Sequence, residues 1–243
     1  MLSRYKVLLE KVSRFETLFA PPPRFSSASN FPEKPLLRHD VDFSIFGLEA
    51  MGKLEHDFGH RAIYLFRPDA RSYNLESAET FRVIKSLQSM GHEIGLHIDR
   101  RSHLASTSDQ ASIIKYFDYV NSKLEHDIGF LSWHRPLESD LGNSDLFCGL
   151  ESLYSNHYWN REIYLSDSAG NWDSTKEGKL DSFLSDKVYF QLLIHPEWWL
   201  DTDAVSGFAR SYSSQLKEDI KDLRNQIRTF DDLELEQKIL GSL

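Results

Sequence analysis

Leu36-Leu37-Arg38-His39-Asp40-Val41-Asp42 is a short apolar run that ends on two carboxylates, and its reading decides the fold. Three later runs end in the same manner. Glu93-Ile94-Gly95-Leu96-His97 closes on an imidazole, Phe130-Leu131-Ser132-Trp133-His134-Arg135-Pro136 on His-Arg, and Tyr189-Phe190-Gln191-Leu192-Leu193-Ile194-His195-Pro196 on another imidazole. Apolar runs of this length, rich in β-branched and aromatic residues, read as buried strands. Helical periodicity separates them: residues 44–58 place Ile45, Leu48, Met51, Leu54 and Phe58 on one face, and residues 76–90 end at Gly91, the expected C′ position, with Asn74 as a cap. Residues 107–126 and 208–230 read as further helices, residues 62–66 as a strand, and the region 150–175 as two short strands with long loops. Strand–helix alternation with hydrophobic strands predicts a mostly parallel sheet, and about seven strands suit an incomplete α/β barrel. Chemistry in such barrels collects at the C-terminal ends of the strands, where these acids and imidazoles stand.

Composition narrows the function classes. The 243 residues, 40% hydrophobic and 13% aromatic, can bury a sizeable core. A net charge of −9 without a Lys/Arg cluster argues against a nucleic-acid binder. The single Cys148 rules out an internal disulfide and a multi-cysteine zinc site, so a metal must be held by His and carboxylates. Arg4, Lys6, Glu10, Lys11, Arg14 and Glu16 interrupt the N-terminal apolar pattern, no secretory signal is visible, and no run approaches a membrane span, so a cytoplasmic location is the expectation. Residues 1–35 read as an amphipathic helix over 2–19 and a Pro/Ser-rich linker from Pro21-Pro22-Pro23, ahead of a barrel over 36–243.

Alternation puts Asp40 and Asp42 on one strand face. One can hold a metal while the other takes a proton from water, the bland alternative being that they cap the next helix. His97 and His195 end strands and suit a nitrogen ligand and a proton donor, while His92 starts its strand and reads as structural. Arg135 can fork onto Asp40 or be an ordinary arginine before a turn proline. Trp198 and Trp199 offer a sugar-stacking wall or plain core. Asp167 and Trp172, in the loop Tyr164–Trp172, offer hydroxyl recognition or a turn.

Taken together, Asp40-Val41-Asp42, Gly91-His92-Glu93-Ile94-Gly95-Leu96-His97, Arg135-Pro136 and Leu192-Leu193-Ile194-His195 resemble, in order, four motifs of the polysaccharide deacetylases, carbohydrate esterase family 4, the NodB-homology group. The resemblance covers roughly residues 36–200. It implies a distorted (β/α)7 barrel, a divalent metal, usually zinc, and removal of an acetyl group from an N-acetylated sugar. Carried across, Asp40 is the base, Asp42 and His97 are metal ligands, Arg135 orients Asp40, and His195 is the acid. One position departs: Arg101 stands four residues after His97, where the family usually has a second histidine. His103 in the same loop and His134 on the next strand are the replacements, and His134 is preferred because a strand end is better fixed than a loop. The expected substrate is an N-acetylated sugar, nucleotide- or lipid-linked. Hydrolysis of a small non-sugar amide, and glycan binding by a degenerate site, are the alternatives.

Overall fold

The computed structural model describes residues 2–15, 34–101, 110–124, 128–142, 146–200, 213–214 and 216–224. The proline linker, His103 and both ends of the C-terminal helix read over 208–230 lie outside them. Within that stretch, residues 213–214 and 216–224 are helical.

Eight strands form one sheet: β1 (Leu36–Val41), β2 (Ile63–Phe66), β3 (Glu93–Asp99), β4 (Phe130–His134), β5 (Leu146–Phe147), β6 (Leu150–Ser152), β7 (Tyr164–Ser166) and β8 (Gln191–Ile194). Their spatial order is β5-β6-β4-β3-β2-β1-β8-β7. Every pair is parallel except β5–β6, so seven parallel strands curl into a distorted (β/α)7 barrel left open between β6 and β7. Side chains span that opening. The Gln191 amide donates to the carbonyls of Leu153 (3.0 Å) and Tyr158 (3.1 Å), and the Tyr154 and Tyr164 rings lie 6.4 Å apart.

Helices α2 (Leu48–Asp57), α3 (Ala78–Ser89), α4 (Gln110–Leu124) and α5 (Ser174–Asp186) make the crossovers. The Ser77 hydroxyl, rather than Asn74, accepts the Thr80 N–H at the start of α3, while Asn74 closes a turn onto Glu76 N–H. Gly91 takes φ +85° after the last turn, as the sequence predicts. α2 begins after Gly47 with no side-chain cap, which removes the capping alternative for Asp40 and Asp42.

An eleven-residue helix, α1 (Ser3–Ser13), precedes the barrel. A helix this short is marginal alone. It is held by burying Tyr5, Leu8, Leu9 and Val12, each contributing roughly 1.5–3 kcal/mol. Tyr5 also donates to Glu55 (2.5 Å), a fully buried carboxylate that binds His39 (2.7 Å) and Tyr64 (2.9 Å).

Period-2 alternation divides the strand residues between two cores. Leu37, Val41, Tyr64, Phe66, Ile94 and Leu96 face the helices, whereas Leu36, Ile63, Leu65 and Phe130, joined by Leu153 and Tyr158 from the segment after β6, fill the barrel interior. Gly95 lies on the inner row, where a Cβ would come within 2.7 Å of the Phe130 carbonyl oxygen and 2.8 Å of the Leu65 side chain. Only glycine fits there, one step below His97.

Candidate metal centre and catalytic site

The same alternation places Arg38, Asp40 and Asp42 on the inner face at the carboxyl end of β1, facing His97 of β3, Ser132 and His134 of β4, and His195 after β8. Register aligns His97 with Ser132 and Asp99 with His134. The Asp42 Oδ1 atom lies 3.3 Å from His97 Nε2 and 3.1 Å from His134 Nδ1, and these two nitrogens are 3.2 Å apart. This near-equilateral triangle is the one group of metal-binding side chains found among the described residues. Asp42 Oδ1 is buried and accepts no hydrogen bond, although both imidazole nitrogens stand within 3.3 Å of it. Three donors about 2.0–2.1 Å from a tetrahedral ion stand roughly 3.3 Å apart. One carboxylate and two imidazoles also suit a borderline divalent ion, so the residues present fit a metal. Burial raises the Asp42 pKa, but the two imidazoles outweigh it and hold the carboxyl far below the usual range.

The supporting residues set the tautomer. Ser132 Oγ lies 2.5 Å from His97 Nδ1 and donates to Asp40 Oδ1 at 3.3 Å. A hydroxyl that donates to the carboxylate must accept from Nδ1–H, so neutral His97 offers its Nε2 lone pair to a metal, and only the protonated, metal-free imidazole donates toward Asp42.

Asp40 is 2% exposed, and the guanidinium that holds it belongs to Arg38, not Arg135. Arg38 is fully buried and donates from Nε to Oδ1 (2.9 Å) and from Nη2 to Oδ2 (2.8 Å). Its third nitrogen binds Gln191 (2.9 Å), and its plane lies 4.4 Å over the Tyr154 ring. Burial pushes the Asp40 carboxyl up, yet Arg38, then His97 and His195, bring it down to about 2. The stability from this pair is therefore present above the unfolded value near 3.9 and is lost as pH falls through about 2. Arg135 is corrected to the cavity wall: it is exposed, takes φ +58° before Pro136, and makes no bond to Asp40.

His195 is braced from behind. Its Nδ1 lies 2.6 Å from Asp167 Oδ1, its backbone N–H reaches both Asp167 oxygens at 3.0 Å, and Nε2 points inward, 3.8 Å from Asp42 Oδ2. Burial lowers the imidazole, but the Asp167 bond and charge overcome it and raise it to about 10. That contribution to stability is full below the unfolded value near 6.5 and lost as pH rises through about 10. Asp167 thus carries a correction too: it is 1% exposed and spent on His195 and Trp199, with no oxygen left for a sugar hydroxyl. Trp199 is 4% exposed, with its N–H on Asp167 (2.6 Å) and its ring against Tyr5 and Trp172. Trp172 packs on Trp199 and donates to Glu177, and Trp198 packs half-buried against the core. Trp198 and Trp199 follow the core reading, Trp172 packs with them, and none of the three lines the cavity beside the triad. His92 is the strut expected of it, accepting from Ala62 N–H (3.1 Å) and donating to the Gly52 carbonyl (2.9 Å).

Replacing Asp167 with Asn is expected to move the His195 titration, followed by NMR in the metal-free protein, down from near 10 toward 6.5. A divalent ion in the triad pushes the same imidazole down, which makes its protonation depend still more on Asp167. An unchanged titration would show that Asp167 does not set the His195 pKa.

The sequence reading did not find Arg38, Ser132 or Glu197. Glu197 is 2% exposed, and burial and the charge of Asp42 outweigh the pull of His195 and raise it to about 8. A charge inside an apolar strand two residues before Asp40 was the available signal for Arg38, since it must face the same way and find a partner.

No family profile and no curated protein sequence matches the chain. Solved structures do. The chitin deacetylase of the fungal pathogen Colletotrichum lindemuthianum is 13% identical with a TM-score of 0.45, over 76% of this chain and 83% of that one. The Bc1960 peptidoglycan N-acetylglucosamine deacetylase is 14% identical with a TM-score of 0.42, over 88% and 89%. The Xyl-CE4 domain of a multidomain xylanase from the hindgut metagenome of Trinervitermes trinervoides is 13% identical with a TM-score of 0.41, over 77% and 82%. The likeness is one of fold. Among the described residues no helix is long and apolar enough to cross a membrane.

Proposed function

We propose that the chain is a metal-dependent hydrolase of the polysaccharide deacetylase superfamily that removes an N-acyl group, acetyl in the first instance, from an amino sugar or glycan precursor. The observation that carries this is the triangle of Asp42, His97 and His134 at the barrel mouth, with Asp40 Oδ2 3.5 Å from His97 Nε2 and His195 Nε2 3.8 Å from Asp42 Oδ2. The motif resemblance supports the amide of an N-acetyl sugar as the bond cleaved.

Asp42, His97 and His134 would hold the metal, and a divalent ion there polarises the acyl carbonyl and acidifies water. Asp40, ionised and fixed by the Arg38 fork, receives the proton of the attacking water. Its low basicity is tolerable because the water is acidified. His195, protonated and aimed by Asp167, delivers a proton to the departing amine nitrogen. Ser132 keeps His97 and Asp40 in register.

The test is deacetylation of N-acetylated sugars by zinc-loaded protein, with and without chelator. Asp40→Asn should leave metal content intact and reduce turnover by roughly a hundredfold or more. Turnover unaffected by chelator would overturn the metal reading, and turnover unaffected by Asp40→Asn would overturn the base.

A further inference from the structure

A cavity of about 690 Å³ opens beside the triad, with Asp42 and His134 in its wall, and four arginines line it: Arg67, Arg71, Arg101 and Arg135. Arg67 is spoken for, 3.2 Å from Asp69, 3.4 Å from Asp99 and 3.9 Å from Asp42. In binding Arg67, Asp69 and Asp99, the other two acids of the wall, are spoken for as well. The guanidiniums of Arg71, Arg101 and Arg135 have no partner among the described residues and are exposed. A chain of net charge −9 thus sets on one concave wall three guanidiniums that are unpaired among the described residues.

Exposed arginines scattered over a surface are ordinary. These converge, and a concave low-dielectric wall focuses their field. Arg135 also takes φ +58°, a backbone conformation disfavoured in a non-glycine residue, and such strain persists where it serves a site. The cavity has the size of a pocket for a small ligand. Guanidinium forks match phosphate oxygens two at a time, and three of them offset more than one negative charge, which a single carboxylate does not supply.

Building on the deacetylase reading, we propose that the substrate is an N-acylated sugar carrying a phosphoryl group, a phosphomonoester or a diphosphate, and that Arg71, Arg101 and Arg135 bind that group while the acyl amide lies at the triad. The phosphoryl group then fixes which amide is presented, and charge draws the substrate in.

The test is binding, measured by titration calorimetry on the full chain stripped of metal by chelator, so that neither direct phosphate–metal ligation nor the deacetylase reading decides the result. The probes are N-acetylglucosamine, its 1-phosphate, its 6-phosphate, its uridine diphosphate conjugate and N-acetylmuramic acid, a carboxylate. At least one phosphorylated probe should bind tenfold or more tighter than both the neutral sugar and the carboxylate, and the strongest of them identifies the linkage. Arg71→Ala, Arg101→Ala and Arg135→Ala should each weaken that probe roughly tenfold or more. Arg101→Lys, which keeps the charge without the fork, should fall between. Exposed positions leave folding intact, checked by thermal unfolding. Equal affinity for neutral and phosphorylated sugars, equal affinity for the carboxylate, or full affinity in the three alanine variants would overturn the inference. Tight phosphoryl binding with no deacetylation by zinc-loaded protein would instead overturn only the reaction.

Discussion

Arg38→Met should destabilise the protein by about 3–5 kcal/mol, because breaking a buried ion pair leaves the other charge uncompensated. Both partners are inside the barrel, Arg38 with no exposure and Asp40 with 2%. Three of the bonds lost are those to Asp40 and Gln191, which links β1 to β8. Against a total stability of order 5–15 kcal/mol the loss is large, and urea unfolding would resolve it. The pH dependence separates this cause from lost packing. Arg38 is the largest influence holding Asp40 down to about 2, so without it burial, which acts upward, prevails. In the variant the folded carboxyl titrates above its unfolded value, and the deficit relative to the parent should shrink on acidification and grow as pH rises. Arg38→Lys retains a charge but not the fork and should lie between. A deficit below 1 kcal/mol, or one independent of pH, would show that Asp40 has another partner.

The barrel was legible because the core strands carry compact apolar runs and α2 and α3 one-sided stripes, whereas α5 (Ser174–Asp186), with only Leu180, Phe183 and Leu184 buried, was not read. β4 falls at Phe130–His134 as read, while β3 runs two residues past its reading, to Asp99. The site was legible where a polar residue closes a run: Asp40, Asp42, His97, His134 and His195 all arrive at one mouth. What failed was partner assignment. Arg135 looked available to Asp40 because it follows a strand end, yet the nearer guanidinium lay two residues upstream on the same strand face. Asp167 and Trp199 looked like sugar contacts because they sit in polar or aromatic loops. The distance between positions 167 and 195 in the chain hid that one supports the other. Spacing within a strand is readable from sequence, but pairing between strands separated by a crossover is not.

His134→Ala should abolish stoichiometric binding of a divalent ion and lower deacetylation by roughly a hundredfold or more, since an ion in such a site supplies several kcal/mol. Of the three donors, His134 gives the cleanest test. His97 also carries the bond to Ser132, and through it to Asp40, while Asp42 lies 3.8 Å from His195, so removing either disturbs the acid–base groups as well. His134 sits at the rim with 14% of its side chain exposed, and its shortening takes nothing from the barrel interior. Thermal unfolding of the metal-free variant should therefore match that of the metal-free parent, while zinc raises the midpoint of the parent alone. On the proposed metal reading, a histidine at position 101 is not needed: the carboxylate and both imidazoles already occupy the corners at 3.1–3.3 Å, with the second imidazole supplied by the adjacent strand. Arg101→His should accordingly leave the metal content of the parent unchanged and fail to restore binding to His134→Ala, whereas stoichiometric zinc in the alanine variant would place the third donor elsewhere.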